Sequence, residues 1–307
     1  MNVLKFVEEF PDETSCIKHL KALREREGIA CKKCQNEKHY YLKAKNQWSC
    51  SSCRFRTTLR SGTMMESSKL PIREWFIAIA FMTYSKKGIS AKELQRQLGR
   101  KRYEPVWLMM HKIRAAMGKR DDRYKLDDMV EFDEGYFETE TKKVVKSNLK
   151  RGRGSQRQSN VAVMAESTPL EDLETGKKSK HVRYFKMKVL DSHKSEEIDE
   201  TVENGIQDSS IVFSDKSTSY VDIADYVEVH ITEKSTNETT NNTLKWVHIA
   251  ISNAKRTLLG IHHKIKGKYL QNYLNEFCYK LNRRYFGEQL FDRLLIAVIQ
   301  DVRYLNG

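Results

Sequence analysis

Asp128-Met129-Val130-Glu131-Phe132-Asp133 is the stretch where the sequence changes period. Before it, apolar residues recur at helical spacing. Here apolar and polar side chains alternate, as in a strand with one covered face. Further strands are expected at 160–165, 182–190, 210–214 and 226–231. Residues 193–206 read as a helix, and 238–304 as mostly helical, with breaks near Gly260 to His263 and at Gly287. Strands followed by helices in this order predict an α/β domain of ~170 residues spanning 125–304.

Two acids in that domain suggest chemistry. Asp133 is expected to close the first strand and Asp215 a later one. A carboxylate at a strand end is held rigidly yet open to solvent, and two from neighbouring strands can share divalent cations. Magnesium and manganese take hard oxygen ligands, and two such ions can clamp an in-line phosphoryl transfer. Taken singly, either Asp is an ordinary strand-end cap.

Working outward toward the N-terminus, Ser90 caps a short helix, Glu93 stands three positions on, and Gly99 ends it. After a basic turn, Pro105 opens a second helix. Helix, turn, helix with Lys92, Arg96, Arg100 and Lys101 around the joint is a helix-turn-helix pattern, with these four as candidate DNA contacts. The helix before it begins near Pro71 and carries Trp75, Ile77, Ile79, Phe81 and Met82. Together these segments predict a small helical domain over 65–122.

Further upstream, Cys31-Lys32-Lys33-Cys34 and Cys50-Ser51-Ser52-Cys53 stand fifteen residues apart. Two C-x-x-C turns at this spacing are the mark of a zinc ribbon, so Cys31, Cys34, Cys50 and Cys53 are the expected ligands of a structural zinc. With a helix over 1–29, the ribbon gives an N-terminal segment of 1–64. Disulfides would need an oxidising compartment, and Met1-Asn2-Val3-Leu4-Lys5 opens no signal peptide. Cys16 and Cys278 are isolated thiols.

The 307 residues carry a formal net charge of +14. That excess favours a polyanion, most simply nucleic acid. The segment 141–158 holds seven Lys or Arg and no acid. Within it Lys150, Arg151, Arg153 and Arg157 flank glycines that let the backbone approach a phosphate. No apolar run approaches the ~20 residues that span a bilayer, so no membrane partner is expected. The expected location is cytoplasmic and nucleoid-associated.

Several strings carry a family resemblance. Asp133-Glu134-Gly135-Tyr136-Phe137, Lys150-Arg151-Gly152-Arg153-Gly154, Ser214-Asp215-Lys216, and Leu274-Asn275-Glu276-Phe277 with Leu281-Asn282-Arg283-Arg284 follow one another in this order. With the ribbon and helix-turn-helix ahead of them, the chain resembles bacterial insertion-sequence transposases of the ISXO-like group over about residues 16–286. The resemblance implies an RNase H-like (integrase-type) catalytic domain, two-metal cleavage and strand transfer at the element's DNA ends, and a homo-oligomer on DNA.

The third acid of that family's simplest pattern is missing. Asn253, followed by Lys255, suits a family variant in which Asn replaces Glu. His248 is the rival. It lies 33 residues after Asp215 and seven before Lys255, so His248 and Lys255 share a helix face. Glu238 and Glu276 are other possible acid donors. A regulator with the same DNA-binding modules and a decayed catalytic domain is the alternative function. An RNA-directed nuclease on the same fold is a third.

Overall fold

The computed structural model describes residues 2–140, 155, 157–171, 178–192, 194–234, 236–262 and 265–300. It divides into two compact units, Met1–Met117 with Tyr285–Gly307, and Gly118–Arg284.

In the first unit, α1 (Val3–Glu9) and α2 (Glu13–Glu27) precede a three-stranded antiparallel sheet of β1 (His39–Leu42), β2 (Gln47–Cys50) and β3 (Arg56–Thr58). Asp12 and Ser15 form a capping box that starts α2. Helices α3 (Ile72–Tyr84), α4 (Ala91–Gln97) and α5 (Glu104–Asp121) follow, and the division between the units falls within α5. Pro71 offers no side-chain acceptor at the start of α3. Glu13 of α2 does this instead, accepting from the N–H groups of Ile72 and Arg73 at 2.7 and 2.8 Å.

Helix α10 (Leu290–Ile299) completes the unit from the far end of the chain. Phe291 meets the rings of Phe6, Phe10 and Phe76 at centroid distances of 5.7–5.9 Å. The expected 125–304 domain therefore loses its last helix to the N-terminal unit. The cause is that α3 buries residues on most of its circumference, Ile72, Trp75, Phe76, Ala78, Ile79, Ala80 and Met82, and α10 supplies one wall. The segments 1–64 and 65–122 likewise fall in one unit rather than two.

The second unit is built on a five-stranded sheet of order β6-β5-β4-β7-β8. β4 (Met129–Glu138), β5 (Gln158–Glu171) and β6 (Lys178–Leu190) are antiparallel, while β7 (Ile211–Asp215) and β8 (Val229–Glu233) run parallel to β4. Alternation along β4 sends Val130 and Phe132 toward a core with α6 (Ser195–Gly205). Phe137 faces the other core, where it meets α8 (Lys245–Ile261) and α9 (Gly267–Asn282).

Both faces are thus covered, and α9 also closes an edge. The Asn282 amide accepts from Phe185 N–H and donates to Phe185 C=O, at 2.7 and 2.9 Å. Gln271 accepts from Val189 N–H and donates to Met187 C=O. Between Phe185 and Val189 these two amides bind four backbone groups on the outer side of β6, where a sixth strand would otherwise pair.

Replacing Phe291 with Ala should remove about 3–5 kcal/mol of stability from the first unit. Chemical denaturation followed by Trp fluorescence checks this. A loss under about 1 kcal/mol would mean that α10 is not part of that core.

Candidate active site and metal centre

The parallel ladder between β4 and β7 ends at the pair Glu131↔Phe213. Asp133 stands two residues beyond Glu131, and Asp215 two beyond Phe213. Because the strands run parallel, this puts both carboxylates at one level, on the face that α8 covers. Asp133 does not close its strand, as the alternation had suggested. β4 continues to Glu138, paired with β5. What ends near Asp133 is its ladder with β7. Asp215 does close β7.

Burial raises the Asp133 carboxyl to about 7, opposed by the Glu134 N–H that donates to its Oδ1 at 2.7 Å, and the charges of Asp215 and Glu134 push it further upward. The nearby charge of Asp215 thus favours the protonated form of Asp133. A divalent cation between them would reverse that balance.

Helix α8 supplies the third side chain. His248 Nε2 lies 3.6 Å from Asp133 Oδ2. Burial holds the imidazole below its ordinary pKa, against the pull of Asp215. The neutral form that this favours carries the lone pair a metal needs. Lys255, two turns on, places its Nζ 5.7 Å from the centroid of the Phe137 ring, along the same face of β4. Asn253, five residues after His248, lies about 140° round the helix from it. It turns aside, and its Oδ1 accepts from Arg256 Nη2 at 2.7 Å. Glu238 is exposed on the short helix α7 (Asn237–Asn241), and Glu276 is buried on α9.

Two acids escaped the sequence reading. Glu233 pairs in register with Asp215 on β8 and accepts from the Thr243 hydroxyl at 2.8 Å. Glu131 is fully buried, and its Oε2 accepts from the N–H groups of Trp246 and Val247, at 2.6 and 3.1 Å. Alternation with Asp133 was the available signal for Glu131. Its partner, 115 residues away, left none.

The four cysteines converge. Their sulfurs all lie within 4.8 Å of one another. Cys31–Cys53, Cys34–Cys50 and Cys34–Cys53 are 3.4–3.5 Å apart. That is far beyond a disulfide bond and close to the ~3.8 Å edge of a tetrahedral Zn–S4 cage. The two turns are built alike. Gln35 and Arg54, each just after its second cysteine, take left-handed φ values of 59°. Their N–H groups return to the carbonyls of Cys31 and Cys50. The Cys53 N–H bonded to Cys50 is the largest influence that lowers the Cys50 thiol to about 6, which favours the thiolate a metal binds. The donor set, all sulfur and closed, fits a structural zinc.

At the turn between α4 and α5, Gln95 donates to the carbonyls of Arg100 and Lys101 and fixes the basic turn. Arg100 is held by both carboxylate oxygens of Glu74, and Arg96 by Glu93. Lys92 and Lys101 are exposed. Arg157 is exposed beside β5, whereas Lys150, Arg151 and Arg153 lie outside the described residues.

Comparison with known proteins bears on both centres. Residues 125–282 match the family described as the ISXO2-like transposase domain. The chain belongs to this family. Residues 11–56 match the transposase zinc-ribbon domain. The chain is also similar to an uncharacterized protein in transposable element ISH50 of Halobacterium salinarum, 24% identical over 151 residues. These cover 48% of this chain and 50% of that protein, so the chain spans about half the length of the curated relative it matches. Among the described residues no helix is long and apolar enough to cross a membrane.

Purified protein should carry one zinc per chain, and Cys50→Ser should lose it and unfold the ribbon. Metal analysis with circular dichroism reads both. A wild-type ribbon that is metal-free yet fully folded would contradict the assignment.

Proposed function

We propose that this chain cleaves DNA at the ends of an insertion sequence and joins them to a target, with magnesium or manganese ions held by Asp133, Asp215 and His248. The observation that carries this reading is the meeting of Asp133, at the centre of the sheet, with His248 of α8 at 3.6 Å, under the charge of Asp215. The sheet order supports an RNase H-like fold. Three antiparallel strands are followed by two parallel to the first, and the acids sit on the central strand and its parallel neighbour. The family match supports transposition as the context.

The metals would activate the attacking hydroxyl and stabilise the leaving oxygen. The chain's own side chains set the stage. Asp133 and Asp215 come from adjacent strands and are fixed by the ladder between them. His248 replaces a carboxylate with a neutral nitrogen, a weaker ligand for magnesium, which lowers the negative charge of the site. Lys255 adds a cation on the same face, where it can hold a DNA phosphate. Lys101 is exposed and can meet DNA directly, and Lys92, also exposed, would first give up its hydrogen bond to Gln95 Oε1 at 3.0 Å. Arg96 and Arg100 would first have to leave Glu93 and Glu74. Action on two DNA ends calls for a homo-oligomer.

The imidazole in place of an acid is also what favours the second reading, a DNA-binding regulator whose catalytic domain has decayed. Metal-dependent nicking of a duplex containing the element's end separates the two. Asp133→Asn and Asp215→Asn should each lose cleavage by orders of magnitude while still binding DNA. His248→Ala should resemble them, and Asn253→Ala should stay near wild type. Cleavage that survives Asp215→Asn would sink the two-metal site.

The basic stretch 141–158 is proposed to grip phosphates without reading bases. Replacing Arg151 and Arg153 with Ala should weaken binding to all sequences and reduce the slope of log K against log salt by roughly 2. A change confined to sequence preference would contradict this.

A further inference from the structure

We infer that Glu131 is a positioning residue for the metal site: its buried carboxylate docks the first turn of α8 on β4 and so fixes where His248 stands relative to Asp133. The inference rests on the reading of His248 as a metal ligand.

A helix that needs only a cap takes a Ser, Thr, Asp or Asn at its first position. α8 does not. Its N-cap residue is Leu244, whose side chain accepts nothing. The acceptor comes instead from the central strand, 115 residues earlier, and is fully buried. Removing a carboxylate from water is costly, and an exposed polar residue would cap the helix without that cost. What the buried acid provides, and a local cap cannot, is a fixed distance between helix and strand.

The spacing supports this. Glu131, Asp133 and Gly135 alternate along one face of β4. Glu131 binds the N–H groups of Trp246 and Val247, Asp133 faces His248, and Gly135 faces Ile251. A Cβ on Gly135 would come within 3.2 Å of Ile251 Cγ1, so the helix lies close against the strand there too. Asp133 and His248 therefore meet between two anchor points. From Glu131 to Asp133 is about 7 Å along the strand. From Val247 to His248 is about 1.5 Å along the helix. Over so short a span, a shift of the first turn of α8 passes almost undiminished to the imidazole.

The test is Mn2+ binding by calorimetry on the zinc-loaded full chain, in a double-mutant cycle between Glu131 and His248. Glu131→Ala should weaken Mn2+ binding by about 10–100-fold, as loss of a residue that orients a ligand does. Glu131→Gln, whose amide oxygen can accept the same N–H groups, should restore most of it. Combined with His248→Ala, Glu131→Ala should cost little more than His248→Ala alone. Should Glu131→Ala not fold, Glu131→Met takes its place, similar in volume and without an acceptor. Losses that simply multiply in the double mutant, or a folded Glu131 variant lacking the acceptor that binds Mn2+ like wild type, overturn the inference. Wild-type Mn2+ affinity in His248→Ala identifies a different failure, that of the ligand reading itself.

Discussion

The short parallel ladder between β4 and β7 is the constraint on which the rest of the second unit turns. Three paired positions set the register, Met129↔Ile211, Val130↔Val212 and Glu131↔Phe213. Asp133 and Asp215 project from the two strands just past its end. A slip of one residue would send one acid to the opposite face, into the apolar core beside α6. Register is guarded by Val130, Phe132 and Val212, which are fully buried on that face. The same hydrophobic packing that stabilises the sheet therefore aligns its charges.

Holding two acids close together works against the fold, and the surroundings show how the strain is met. Asp133 is given a backbone N–H, Asp215 accepts from the N–H of Ser217, and the neighbour from α8 is a neutral-leaning imidazole rather than a third carboxylate. Less repulsion remains than with three acids.

Local chemistry was legible in the sequence. The cysteine spacing gave the ribbon, alternation gave the strands, and Ser90 with Gly99 bounded a helix. The seven-residue spacing placed His248 and Lys255 on one face of α8, and the stripe Val247, Ala250, Ile251, Ala254 and Leu258 is buried as such spacing demands. Long-range pairing was not legible. Nothing near Asp133 says that its strand continues on one side while its ladder stops on the other. Nothing near Leu244 says that the helix behind it is capped from residue 131. The apolar run 290–299 announces burial but not against which partner.

That last helix bears on the order in which the protein is finished. A ribosome exposes Phe6, Phe10 and Phe76 early, but Phe291, which covers them, comes 215 residues after Phe76. At about 5–20 residues per second the wait is roughly 10–40 s. During that time the whole second unit is made while the first lacks one wall. A message broken between codons 285 and 289 would yield a chain with every candidate DNA-contacting and metal-binding residue present and its N-terminal core still open.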